Sequence, residues 1–104
     1  MDLDIRIRHG AAEDVPGLRA HLSALLERSL RRMGRRLAWV VVHLDDVNGP
    51  KGGTDKRCIV RVQPDGGAVA VAEVRGTDPL AAADQGLRRA LRRLKSVVLR
   101  GRRR

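Results

Sequence analysis

From residue 2 to residue 8, apolar and charged positions alternate without a break. Leu3, Ile5 and Ile7 fall on one side and Asp2, Asp4, Arg6 and Arg8 on the other. A period of two marks a half-buried strand. The period then lengthens: Val15, Leu18, Leu22, Leu25, Leu26, Leu30 and Met33 recur at helical spacing. Ala24, Glu27, Arg28 and Arg31 take the opposite side, with His21 and Arg32 on the flanks. Asp14 offers an N-cap, and Pro16 fits a first turn, where a missing N–H costs nothing. Gly34 suits a left-handed helix stop and leaves Arg35 just past the end.

Residues 37–45 are rich in β-branched side chains and predict a strand. Ala38, Val40, Val42 and Leu44 would form one face, and Trp39, Val41, His43 and Asp45 the other. Residues 57–63 alternate again, Cys58, Val60 and Val62 against Ile59, Arg61 and Gln63. Pro64-Asp65-Gly66-Gly67 is a hairpin signal, with residues 68–75 as the return strand. Asp78-Pro79 opens a last helix by the same cap-and-proline logic. Its seam is Leu80, Ala83, Leu87, Leu91, Leu94 and Val98, and Gly101 is its expected end.

The order is therefore β-α-β-β-β-α. The first unit is a parallel crossover and the rest an antiparallel meander. Two amphipathic helices can cover one face of a four-stranded sheet. The expectation is an α+β domain with both helices packed on one face. Its 104 residues make one domain, 1–101, followed by a basic tail at 102–104.

Charge changes the picture most. Lys+Arg number 22 against 12 Asp+Glu, a net charge of +10, and the only lysines are Lys51, Lys56 and Lys95. Such a balance predicts attraction to a polyanion, and arginine's planar fork suits phosphate. The cations concentrate on the two helices, the tail and one loop. That loop, Asn48-Gly49-Pro50-Lys51-Gly52-Gly53-Thr54-Asp55-Lys56-Arg57-Cys58, joins two strands. No stretch approaches the ~18 apolar residues of a membrane span. The start of the chain has no signal-peptide pattern, and a lone Cys58 fits a reducing cytoplasm.

The loop, followed by the helix opening Asp78-Pro79-Leu80-Ala81-Ala82-Ala83-Asp84, resembles the ribosome hibernation promoting factor family. That family includes the ribosome-associated translation inhibitors once called sigma-factor modulation proteins. The resemblance spans essentially the whole chain. It implies a protein that binds the small ribosomal subunit near the decoding region and inhibits translation in stress or stationary phase. Two positions depart from the family pattern: Leu80 stands where a tyrosine is frequent, and Ala83 where an isoleucine is. The resemblance also implies a short form without the ribosome-pairing domain of longer members.

The expected contacts with ribosomal RNA are Arg28, Arg31, Arg32 and Arg35 on and after the first helix. Lys51, Lys56 and Arg57 join them at the loop, and Arg88, Arg89, Arg92, Arg93 and Lys95 on the second helix. For any one arginine, pairing with Glu27 or Asp84 or plain solvation competes with phosphate contact. Backbone and shape recognition is expected rather than base reading, because the chain has one aromatic residue. That residue, Trp39, reads as a packing side chain first and a base-stacking one second. His9, His21 and His43 lack metal-ligand spacing, and Cys58 reads as a small buried side chain with no histidine partner. Adjacent Asp45 and Asp46 point to opposite faces of a strand and offset the loop's cations. The reading is thus of a non-enzyme with no cofactor, metal, membrane or small-molecule substrate, monomeric off the ribosome. Two other readings stand beside it. One is a transcription-side regulator touching a sigma factor or DNA. The other is a ribosome-rescue hydrolase, disfavoured because Gly52-Gly53-Thr54 lacks the glutamine that chemistry needs. The GxxG clamp of KH domains does not fit, since this loop joins strands, and a Walker loop does not, since no Gly-Lys-Ser/Thr opens a helix.

Overall fold

A computed structural model describes residues 4–9, 15–34, 36–46 and 56–102, with side chains at 15–34, 36–45 and 56–94. The expected N-cap Asp14, most of the 48–58 loop, Arg35 and the last two tail residues lie outside them.

The elements follow the order strand β1 (Asp4–His9), helix α1 (Leu18–Met33), strands β2 (Leu37–Asp46), β3 (Lys56–Pro64) and β4 (Ala70–Gly76), and helix α2 (Pro79–Arg102). Strands β2, β3 and β4 form the antiparallel meander that the alternation predicts, with Val42 opposite Val60 and Val60 opposite Ala72. The backbone of β1 runs parallel beside β2, Ile5 across from Val40. The sheet order is β1-β2-β3-β4, so β4 is an edge.

One apolar core fills the space between the sheet and both helices. From the sheet come Val40, Val42, Leu44, Cys58, Val60, Val62, Ala72 and Val74. Facing them are Leu18, Leu22, Leu25, Leu26 and Leu30 of α1 and Ala82, Ala83, Leu87, Ala90, Leu91 and Leu94 of α2. Both helices therefore pack on one face, and each apolar seam is where its periodicity put it as far as Leu94; the side chain of the expected Val98 lies outside the described residues. Burying one such leucine or valine side chain is worth about 1.5–3 kcal/mol.

Four local features depart from the sequence expectation. Pro16 does not enter the helix. Val15, Pro16, Gly17 and Leu18 form a tight turn, with Leu18 N–H donating to the Val15 carbonyl at 3.2 Å. Gly17 has φ 76° and ψ −1°, the third-residue geometry of a type II turn, which favours glycine. Ala38 was expected on the core face, but it is exposed and Leu37 is buried instead. A register shift between Leu37 and Trp39 breaks the alternation there, as a bulge does. Gly101 does not end α2, whose backbone continues to Arg102. The return strand begins at Ala70, two residues later than the alternation suggests, because Gly66 and Gly67, both at positive φ, lead into a wider turn. Gln63 braces that turn, its side-chain amide donating to the carbonyls of Pro64 and Gly67 at 2.9 and 3.0 Å.

The α2 seam is also wider than its leucines indicate. Gly86 is buried, and a Cβ placed there would lie 2.9 Å from Val60 Cγ2 and 3.6 Å from Cys58 Sγ. With Ala82 and Ala90 one turn to either side, the helix rests close against β3 and β4.

Candidate nucleic-acid interface

Because each helix spends its apolar side on the core, its arginines are left on the outer surface. On α1, Arg28, Arg31 and Arg32 are exposed. Their spacing places them on one stretch of helix surface, where they line an open concavity of about 340 Å³. On α2, Arg88, Arg89, Arg92 and Arg93 are exposed. The cap at the head of α2 is the expected one: Leu80 N–H donates to Asp78 Oδ1 at 3.1 Å.

A single carboxylate ties the two basic helices together. Asp84 Oδ1 accepts from His21 Nε2 at 2.7 Å, and Asp84 Oδ2 accepts from Arg88 Nε at 2.8 Å. Partial burial works against ionisation of Asp84, but the hydrogen bonds and charges of His21 and Arg88 outweigh it and hold the carboxyl below its ordinary value. The bridge fixes the first turn of α1 beside the second turn of α2. The Arg28, Arg31, Arg32 group and Arg88, Arg89 and Arg92 are thus exposed on two helices that share one side of the sheet, while Arg93 turns toward β4.

The remaining expected contacts are dispersed. Lys56 and Arg57 begin β3, half-buried, but successive strand residues face opposite ways. Arg57 lies on the sheet face turned away from the helices, where its guanidinium donates to Asp45 Oδ2 at 3.4 Å. Its Nε is buried without an acceptor. Arg93 leans over the sheet edge and donates to the main-chain carbonyl of Val71 on β4. Lys95 lies on α2, with only its backbone described, and Arg35 and Lys51 lie outside the described residues.

Three features escaped the sequence reading. The His21 to Asp84 contact joins residues 63 apart in the chain and leaves no local signal. Arg61 and Arg75 are exposed on the open sheet face, hidden in the sequence among alternating strand residues. Arg93 reads as one more helix cation, and nothing in the pattern ties it to β4.

Cys58 is fully buried, and desolvation pushes its thiol up to about 12. It is therefore a packing group with a negligible thiolate fraction near neutrality. Among the described residues no group of three or more His, Cys, Asp or Glu side chains is placed to hold a metal ion. No helix among them is long and apolar enough to cross a membrane.

Solved structures share this arrangement of elements. The N-terminal domain of Protein Y from Thermus thermophilus superposes with a TM-score of 0.65 at 22% identity, over 96% of this chain and 98% of its own. A ribosomal subunit interface protein from Coxiella burnetii gives a TM-score of 0.59 at 15% identity, over 97% of this chain and 99% of its own. At these identities the likeness is one of fold. No protein-family profile matches the sequence, and no curated protein does.

Proposed function

We propose that this chain is a ribosome-binding protein of the hibernation type. It occupies the small ribosomal subunit near the decoding region and inhibits translation by excluding mRNA and tRNA. The observation that carries this is the paired basic surface of α1 and α2, held in place by Asp84, on a fold shared with a ribosomal subunit interface protein. Exposed guanidinium groups on two rigid helices suit a folded RNA read through its phosphates. In this reading the protein works by occlusion rather than catalysis. It acts in the cytoplasm as a monomer that becomes ribosome-associated under stress or in stationary phase, and ribosomal RNA is its partner.

The test is binding of the purified protein to vacant small subunits across a salt series, with mRNA and initiator tRNA as competitors. If roughly 6–10 phosphates are neutralised, affinity should fall about 10³–10⁵-fold between 50 and 200 mM salt. Displacement by the competitors supports occlusion of the decoding region. Binding no tighter than to random duplex RNA overturns the reading.

A further inference from the structure

The sheet has a second side. Its outward residues on β2, β3 and β4 are Trp39, Val41, His43 and Asp45; Arg57, Ile59, Arg61 and Gln63; and Val71, Glu73 and Arg75. Both helices lie on the opposite face, and among the described residues no element covers this one. The surface is mixed in a particular way. Trp39, Val41 and Ile59 are half-buried and Val71 is 40% exposed, apolar positions on three strands, with Arg61 between Val41 and Val71 in the register and Ile59 between His43 and Glu73. Two guanidinium groups lie among and beside them. Among the described residues neither Arg61 nor Arg75 has an ion-pair partner, and Arg75 stands directly opposite Arg57 in the β3–β4 register. Like charges facing each other across a ladder repel. Asp45 pairs with Arg57 across the β2–β3 register. Arg57 adds a buried Nε–H with no acceptor.

We propose that this open sheet face is a second RNA surface. It takes single-stranded RNA with a base laid against Trp39 and phosphates at Arg61 and Arg75. The chemistry favours this occupant. A sheet that offers an aromatic ring and apolar neighbours, with cations beside them, matches the stacking-plus-backbone mode of single-strand binding. A duplex hides its base faces and cannot use the indole. An acidic protein segment would satisfy the arginines and leave the apolar positions uncovered. Because this surface is opposite the helices, the protein can hold a folded RNA on one side and an unpaired segment on the other.

The chain has one Trp and no Tyr or Phe, so its intrinsic emission reports Trp39 alone. The experiment titrates the intact protein with a short unstructured oligoribonucleotide, a duplex of the same length and an oligoglutamate. It follows Trp39 emission together with the anisotropy of labelled RNA. The expected result is quenching by the single strand, with at least tenfold tighter binding than the duplex. Arg61→Glu with Arg75→Glu should weaken single-strand binding at least tenfold, while Arg88→Glu with Arg92→Glu should leave the quenching in place. If the first pair lowers the melting temperature, Arg61→Gln with Arg75→Gln serves instead. Unchanged emission with RNA bound by anisotropy overturns the proposal, as does equal quenching by the duplex. Stronger quenching by oligoglutamate replaces RNA with an acidic protein partner. A shift in emission with protein concentration alone assigns the face to a second copy of the chain. None of these outcomes alters the small-subunit salt series, so the two readings fail separately.

Discussion

Gly86 shows how much one atom decides at the residue scale. Alanine is the better helix former by about 1 kcal/mol, so Gly86→Ala on an open helix face would stabilise. Here the added methyl meets Val60 Cγ2 at 2.9 Å, on a β-branched side chain with little rotamer freedom. Overpacking of this kind costs about 1–3 kcal/mol. The net expectation is a loss of stability of up to about 2 kcal/mol in urea denaturation, and a gain would show that α2 can lift off the sheet. Leu91→Ala, which empties a well-packed site, should cost about 2–5 kcal/mol in the same measurement. A loss below about 0.5 kcal/mol is surface behaviour and would contradict the helix phase. The two positions differ in legibility. Leu91 is readable because a leucine at helical spacing announces burial. Gly86 is silent, since a glycine in a helical pattern reads as an interruption until the opposing strand is in place. The bulge at Leu37 and Trp39 is silent for a related reason: alternation shows which residues share a face only while the register holds.

At the element scale, the helix pair is an assembly of two cationic surfaces around one anion. Arg88→Glu with Arg92→Glu should weaken small-subunit binding by at least tenfold in a filter or sedimentation assay. Stability should fall by no more than about 1 kcal/mol: neither side chain is in the core, and losing the exposed Arg88–Asp84 pair while placing a carboxylate at i+4 from Asp84 each cost a few tenths. Retained affinity would remove α2 from the interface. Asp84 adds a pH signature. Its carboxyl titrates below the ordinary 3.8, so its proton is held less tightly in the folded chain than in the unfolded one. The bridge's contribution is then complete above that ordinary value and disappears as pH falls through the lower folded value. The stability difference between the natural chain and Asp84→Asn, measured by denaturation from pH 6 to pH 3, should narrow toward the acid end. A constant difference would mean that the carboxylate's charge is irrelevant to the helix contact. The antiparallel meander and both helices were legible because every strand and seam repeats its period several times. The bridge was not, because a contact between distant residues is a product of the fold rather than of any local pattern.

At the scale of the whole molecule, a net charge of +10 on 104 residues is self-repulsive. The charge gives polyanions their long-range attraction, but it is distributed unevenly. Arg88 is paired with Asp84 on the helix side and Arg57 with Asp45 on the open sheet side, Arg61 and Arg75 meet no partner among the described residues, and the β4 edge exposes Val71 at 40%, with Val69 just before it at 39%. An edge strand with exposed valines is a template for another strand, and charged side chains are a common way of blunting it. Arg93, which sits on the Val71 carbonyl, belongs to that defence as well as to the basic helix face. Arg93→Ala is therefore expected to show its effect where no RNA is present. Light scattering at high protein concentration and moderate salt, where repulsion is screened, should rise faster for the variant than for the natural chain. Equal scattering would mean the edge is guarded by something else. Faster scattering would make this helix arginine, in part, a keeper of colloidal solubility, raising the concentration at which the protein can be held without associating.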